Sequence, residues 1–180
     1  MNQLQRTSLW VGFFLIAFQG ITYAEPSMAR HFVAHLEGGQ EVPEVDTNAT
    51  GQVIFNLNET ETELQYKLIV ANIENVVASH IHLGPAGSNG MVVAFLAGPF
   101  DPAGGRTQGI LAEGTITAVN LVGPLAGMDL SVLIQAMRTG GTYVNVHTND
   151  GVPPTNQGPG DFPGGEIRGQ VRPTGHHSPE

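Results

Sequence analysis

Val53-Ile54-Phe55-Asn56-Leu57 and Leu64-Gln65-Tyr66-Lys67-Leu68-Ile69-Val70, joined by a polar stretch over 58–62, decide the fold class. Val53, Phe55 and Leu57 recur at every second residue. So do Leu64, Tyr66, Leu68 and Val70. A spacing of two places side chains on one face of a strand, whereas a helix repeats its apolar face at three and four. Two such runs separated by a short polar turn read as a β-hairpin with a five-residue loop.

The same pattern extends along the chain. Phe32, Ala34 and Leu36 alternate before Gly38-Gly39. Further strands are expected over 77–83, 91–96, 111–117, 142–148 and 165–171. The 24 glycines and 12 prolines punctuate these short apolar runs. Such punctuation argues for many short strands. The expected fold is all-β: a Greek-key β-sandwich or flattened barrel, immunoglobulin-like in its layering. One segment departs from it. Over 128–138, Leu130, Leu133, Ile134 and Met137 fall at helical spacing, with Asp129 placed to cap the start and Gly140 to end it. One short helix is expected there, its apolar stripe packed on the strands.

The first 24 residues read as an export signal. Arg6 supplies positive charge and 9–18 form an apolar run of ten residues, too short for an ordinary membrane span. Thr22-Tyr23-Ala24 resembles a cleavage site, leaving Glu25 as the first mature residue. The domain is then expected over 31–173, followed by a disordered tail over 174–180. The expected location is the periplasm or the extracellular medium, with no membrane span after cleavage. The formal net charge is −9. A surface of that sign repels nucleic acid, so no nucleic-acid partner is expected. There is no cysteine. Thiolate chemistry and disulfide bracing are excluded, and the fold must be held by its core or by a metal.

His80-Ile81-His82 carries the chemistry. On a strand His80 and His82 project to one face and Ile81 to the other. His147 ends the later run Tyr143-Val144-Asn145-Val146-His147-Thr148. Three neutral imidazoles from two strands make a sound donor set for copper or zinc. Copper leads by the usual affinity order. Asn145 shares the face of His147 and is placed to orient an imidazole or a bound water. Glu41 and Glu166 are the nearest acidic candidates for the same supporting role, although Glu166 and Arg168 share a strand face and can instead pair with each other. His31 and His35 lie opposite Phe32, Ala34 and Leu36, and read as surface residues. The proline-rich loop over 149–164 follows His147 directly and is a candidate rim.

The ordered motifs resemble those of the chordin (CHRD) domain family. They are Leu36-Glu37-Gly38-Gly39-Gln40-Glu41-Val42-Pro43, Ser79-His80-Ile81-His82-Leu83-Gly84, Asn89-Gly90, the strand ending at His147-Thr148, and Gly165-Glu166-Ile167-Arg168-Gly169-Gln170-Val171. The likeness spans about 32–172. It implies a β-sandwich related to Cu/Zn superoxide dismutase, in which His80 and His82 resemble a copper-binding pair and His147 the later copper ligand. The bridging histidine, the remaining zinc ligands and the disulfide cysteines of that enzyme have no counterpart here. The resemblance implies no established activity.

The sequence therefore favours an exported, non-catalytic module that binds copper through His80, His82 and His147. Two other readings stand beside it. One is a mononuclear copper redox enzyme of dismutase type. The other is an interaction module, with structural histidines, for an envelope or extracellular protein.

Overall fold

The computed structural model describes residues 28–174. The expected leader lies outside the described residues, as does the tail from 175 on. The strands are β1 (His31–Glu37), β2 (Thr50–Leu57), β3 (Leu64–Glu74), β4 (Val76–Leu83), β5 (Met91–Ala97), β6 (Arg106–Ile116), β7 (Thr142–Thr148), β8 (Ile167–Gln170) and the two-residue β9 (Arg172–Pro173). The single α-helix among the described residues, α1, spans Leu130–Arg138. No helix among them is long and apolar enough to cross a membrane.

The β2–β3 hairpin forms as the spacing predicts, in antiparallel register from Thr50 opposite Ala71 to Leu57 opposite Leu64. Val53, Phe55, Leu64 and Leu68 are wholly buried. Asn58 organises the turn: its Oδ1 accepts the Thr62 and Glu63 amides. The strands join in the order β5-β4-β7-β8-β1-β2-β3-β6, and every pairing is antiparallel. The sheet curls into a nearly closed, barrel-like shell. Across the remaining gap the Tyr66 hydroxyl on β3 donates to the Leu96 carbonyl on β5, at 2.8 Å.

The helix behaves largely as expected. Leu130, Leu133, Ile134 and Met137 are buried. Asp129 holds the N-cap position, but its side chain makes no capping hydrogen bond, so the expected side-chain cap is not formed. The helix ends in a Schellman arrangement. Gly140 adopts φ +70°, its amide donates to the Met137 carbonyl, and the Gly141 amide donates to the Ala136 carbonyl.

Several strands differ in extent from the sequence reading, β3 running on to Glu74. β6 begins at Arg106 rather than 111, because 106–110 lie exposed on an edge strand and show no alternation of burial. β8 is confined to Ile167–Gln170. β9 adds a ninth strand against β1.

The β4–β7 pairing positions the site. Its register sets His80 opposite Asn145, His82 opposite Tyr143 and Ala78 opposite His147. Ile81, Val144 and Val146 point the other way and are completely buried in the core. Against β5 the register shifts twice, once just before His80 and once between Ile81 and His82. Bulges of this kind re-aim side chains at sheet edges. Ile81→Ala should lower unfolding stability by about 2–5 kcal/mol, and Ile81→Val by about 0.5–1.5 kcal/mol, in denaturant titrations.

Candidate metal centre

The β4–β7 register brings His80, His82 and His147 into one cluster, with one donor nitrogen from each ring lying within 4.8 Å of the others. The hydrogen bonds decide which nitrogens face inward. His82 Nδ1 lies 2.9 Å from the Gly90 carbonyl, and His147 Nδ1 lies 2.9 Å from the Pro163 carbonyl. A carbonyl only accepts, so both rings carry their proton on Nδ1. Each Nε2 then presents a lone pair to the cluster. His80 Nδ1 lies 3.0 Å from His147 Nε2. Since that Nε2 is an acceptor, His80 is the donor.

This arrangement fits a metal ion. His82 Nε2 is buried and makes no hydrogen bond of proper geometry, although the Asn145 side chain lies close enough to act on the ring, so its lone pair is left orphaned. An ion taking the place of the His80 Nδ1 proton would meet His80 Nδ1, His82 Nε2 and His147 Nε2.

The surroundings hold the rings. Gly90 sits so close to β4 that a Cβ there would fall 1.7 Å from the Leu83 carbonyl oxygen. Only glycine lets its carbonyl reach His82. The Gly90 amide donates to the Tyr143 hydroxyl at 3.1 Å, and the Tyr143 ring stacks on His82 with centroids 4.8 Å apart. Phe95 meets His80 edge-on, also at 4.8 Å. On the far side the loop over 149–164 supplies the Pro163 carbonyl. Its return is pinned by the Phe162 amide donating to Thr148 Oγ1.

The three expected supporting residues take different places. Asn145 lies on the histidine face, opposite His80 on one side and Arg168 on the other. It adjoins both His82 and Glu41, and its Oδ1 is buried without a partner. Glu41 sits behind Asn145, with Oε1 buried and unpartnered. Gly165, at φ +131°, makes room for this pair, since a Cβ there would lie 2.4 Å from Glu41 Oε1 and 2.8 Å from Asn145 Nδ2. Glu166 bonds none of the three rings. Its carboxylate accepts from Thr47 Oγ1, Thr148 Oγ1 and the Gly160 amide, tying two loops to β7. Nor does it pair with Arg168, whose guanidinium turns to Asn89 and to the Pro85 and Ser88 carbonyls. His31 and His35 are exposed.

Tyr143, Gly90 and Pro163 received no role from the sequence. Tyr143 was within reach of it, being two residues before Asn145 and therefore on the same face. The two carbonyl contacts were not, because a backbone acceptor leaves no residue-type signal.

The electrostatics keep the rings neutral. Burial pushes the His80 imidazole down to about 4, with His147 and His82 adding to the effect. Burial also lowers His82 and His147. Glu41 goes the other way: burial raises its carboxyl to about 7, against the pull of Arg168.

An all-β shell carrying a three-histidine cluster on its outer face defines the class as a barrel-like module with a candidate metal centre. The model of the CHRD domain matches residues 32–171, and the chain belongs to that family. Comparison with curated proteins gave no match.

The shifts set the acid response of the metal-free protein. The unfolded chain protonates its histidines near 6.5, the folded one lower, near 4 for His80. Between those values the unfolded state binds more protons, so the histidines destabilise the fold as pH falls from about 7 to about 4. Glu41 opposes them: between 4.5 and about 7 the folded state holds its proton and the unfolded state does not. Three histidines outweigh one carboxyl. Thermal melts should therefore show a falling midpoint from pH 7 to pH 4.5, and Glu41→Gln should steepen that fall.

Proposed function

We propose that this chain is an exported CHRD-domain module that holds one copper ion through His80 Nδ1, His82 Nε2 and His147 Nε2, without catalysing a reaction. The observation that carries the reading is the orphaned His82 Nε2, set among two further imidazole nitrogens whose rings are fixed by backbone carbonyls. Such pre-set tautomers lower the cost of organising the donors when an ion arrives. Three neutral imidazoles suit copper and zinc, and copper leads the affinity order. Because the rings are already unprotonated at neutral pH, binding need not compete with three protons.

A holding role is favoured by what surrounds the nitrogens. Backbone carbonyls, an aromatic ring on each of His80 and His82, and an asparagine adjoin them. Glu41 stands behind Asn145 and is held protonated up to about 7, and the Glu166 carboxylate is engaged by Thr47, Thr148 and the Gly160 amide. Copper itself would supply Lewis acidity and one-electron chemistry when bound. The surrounding residues orient it but supply no acid–base pair beside it. Export rests on the leader over 1–24. An intact mass beginning at Glu25 in the periplasmic or culture fraction supports that part, and an uncleaved chain refutes it.

Titration of tag-free, metal-free protein with Cu(II), followed by absorption and electron paramagnetic resonance, should saturate at one ion per chain with nitrogen hyperfine structure. The His80→Ala, His82→Ala, His147→Ala triple variant should lose the site while keeping its fold. Unchanged binding in that variant would falsify the assignment. Copper at a hundredfold its Kd should raise wild-type stability by about 2.7 kcal/mol. The loaded protein should remove superoxide no faster than a metal-free control.

A further inference from the structure

Arg168 is buried to near completion on the tyrosine side of the histidines, at 1% exposure, as Glu166 is on the loop side. Its environment is unusual for a cation. Nη1 donates to Asn89 Oδ1 at 3.1 Å, and Nη2 donates to the Pro85 and Ser88 carbonyls at 3.2 and 2.9 Å. Its Cζ lies 3.4 Å from the centroid of the Tyr143 ring. All of these partners are neutral. Among the described residues the ion pairs are Lys67–Glu113 and Arg138–Glu61, and neither includes it. Glu41, the carboxyl whose titration feels this guanidinium most directly, is held protonated up to about 7 by its own burial. A buried charge that no carboxylate pairs with directly is costly, and arginine does not escape the cost by losing its proton.

The position of this charge is specific. Tyr143 stacks on His82 at 13° between planes, and the guanidinium covers the same ring. Two groups so close to one ring cannot share a face, so the order is Arg168, Tyr143, His82. That order follows the strands β8, β7, β4. One aromatic ring therefore separates a fixed positive charge from a ring that carries a donor nitrogen. The donors themselves bring no negative charge.

We propose that Arg168 biases the three-histidine centre toward the monovalent cuprous ion and against divalent ions. The inference rests on the copper reading above and adds an oxidation state to it. Repulsion from the guanidinium grows with the charge of the bound ion. Across roughly 8–10 Å at an effective dielectric of about 20, each added positive charge is disfavoured on the order of tenfold. Arg168 also staples the 85–89 segment that leads to Gly90, the acceptor for His82. A purely positional role would therefore weaken every ion equally, whereas a charge role changes the ratio between ions.

The test measures Kd for Cu(I), under anaerobic competition with a chromophoric chelator, and for Cu(II), in metal-free protein at pH 6, where Glu41 is protonated. Wild type should bind Cu(I) more tightly than Cu(II). Arg168→Gln keeps a donor for the loop and removes the charge. It should reduce the Cu(I)-to-Cu(II) affinity ratio on the order of tenfold, equivalent to a fall of about 59 mV in the copper midpoint potential. Arg168→Lys keeps a charge and should stay within about threefold of wild type. Circular dichroism and thermal melts confirm the fold of each variant. A wild-type preference for Cu(II) overturns the proposal even if neither variant folds. So does a folded Arg168→Gln protein that loses both ions equally, and that result leaves the copper site standing. Failure of wild type to bind either ion overturns the copper reading itself.

Discussion

The antiparallel register of β4 against β7 is the constraint on which the rest depends. It places His80 opposite Asn145 and His82 opposite Tyr143, and brings His147 diagonally beside His80. Cross-strand neighbours on one face stand close enough for their side chains to meet. A slip of one residue would send the imidazoles into the core and bring Ile81 to the surface. Ile81, Val144 and Val146 resist it, because each is wholly buried on the opposite face. The apolar core thus fixes the polar site through the pleat of two strands.

Register alone gathers three rings, but loops decide how they are turned. The Gly90 carbonyl holds His82 and the Pro163 carbonyl holds His147, each through Nδ1. The two carbonyls come from opposite directions: one from the turn between β4 and β5, the other from the long loop after β7. Both loops are tied down by buried polar groups. Arg168 binds the first through Pro85, Ser88 and Asn89. Glu166 binds the second through Gly160 and Thr148. Two neighbouring residues of one motif therefore serve the same end on opposite sides of the cluster, although they never pair with each other.

Much of this was legible in the residue pattern, for a physical reason. Strand periodicity is local, so the β2–β3 hairpin, the outward pair His80 and His82, and the buried stripe of α1 could be read from spacing. The convergence of His147 came from the family likeness together with its place on a strand. What stayed hidden depends on backbone or on distant register. No side-chain pattern announces the Gly90 and Pro163 carbonyls, the bulges of β5 beside the histidines, or the stacking of Arg168 on Tyr143. The exposed start of β6 was missed because an edge strand open to solvent needs no alternation. Glu41 and Glu166 looked alike in the sequence, yet one is a buried carboxyl behind Asn145 with one oxygen left unpartnered, and the other a loop anchor.

The backbone carbonyls preset the protonation of His82 and His147, and with it the lone pairs that the proposed ion would meet. Long-range proton–nitrogen correlation spectra of the histidine rings read this directly. At neutral pH, metal-free protein should show His82 and His147 as Nδ1–H tautomers. Adding one equivalent of diamagnetic Cu(I) should leave both unchanged and move the His80 proton from Nδ1 to Nε2. An Nε2–H tautomer at His82 or His147 in the metal-free protein, or a His80 ring indifferent to the ion, would contradict the account.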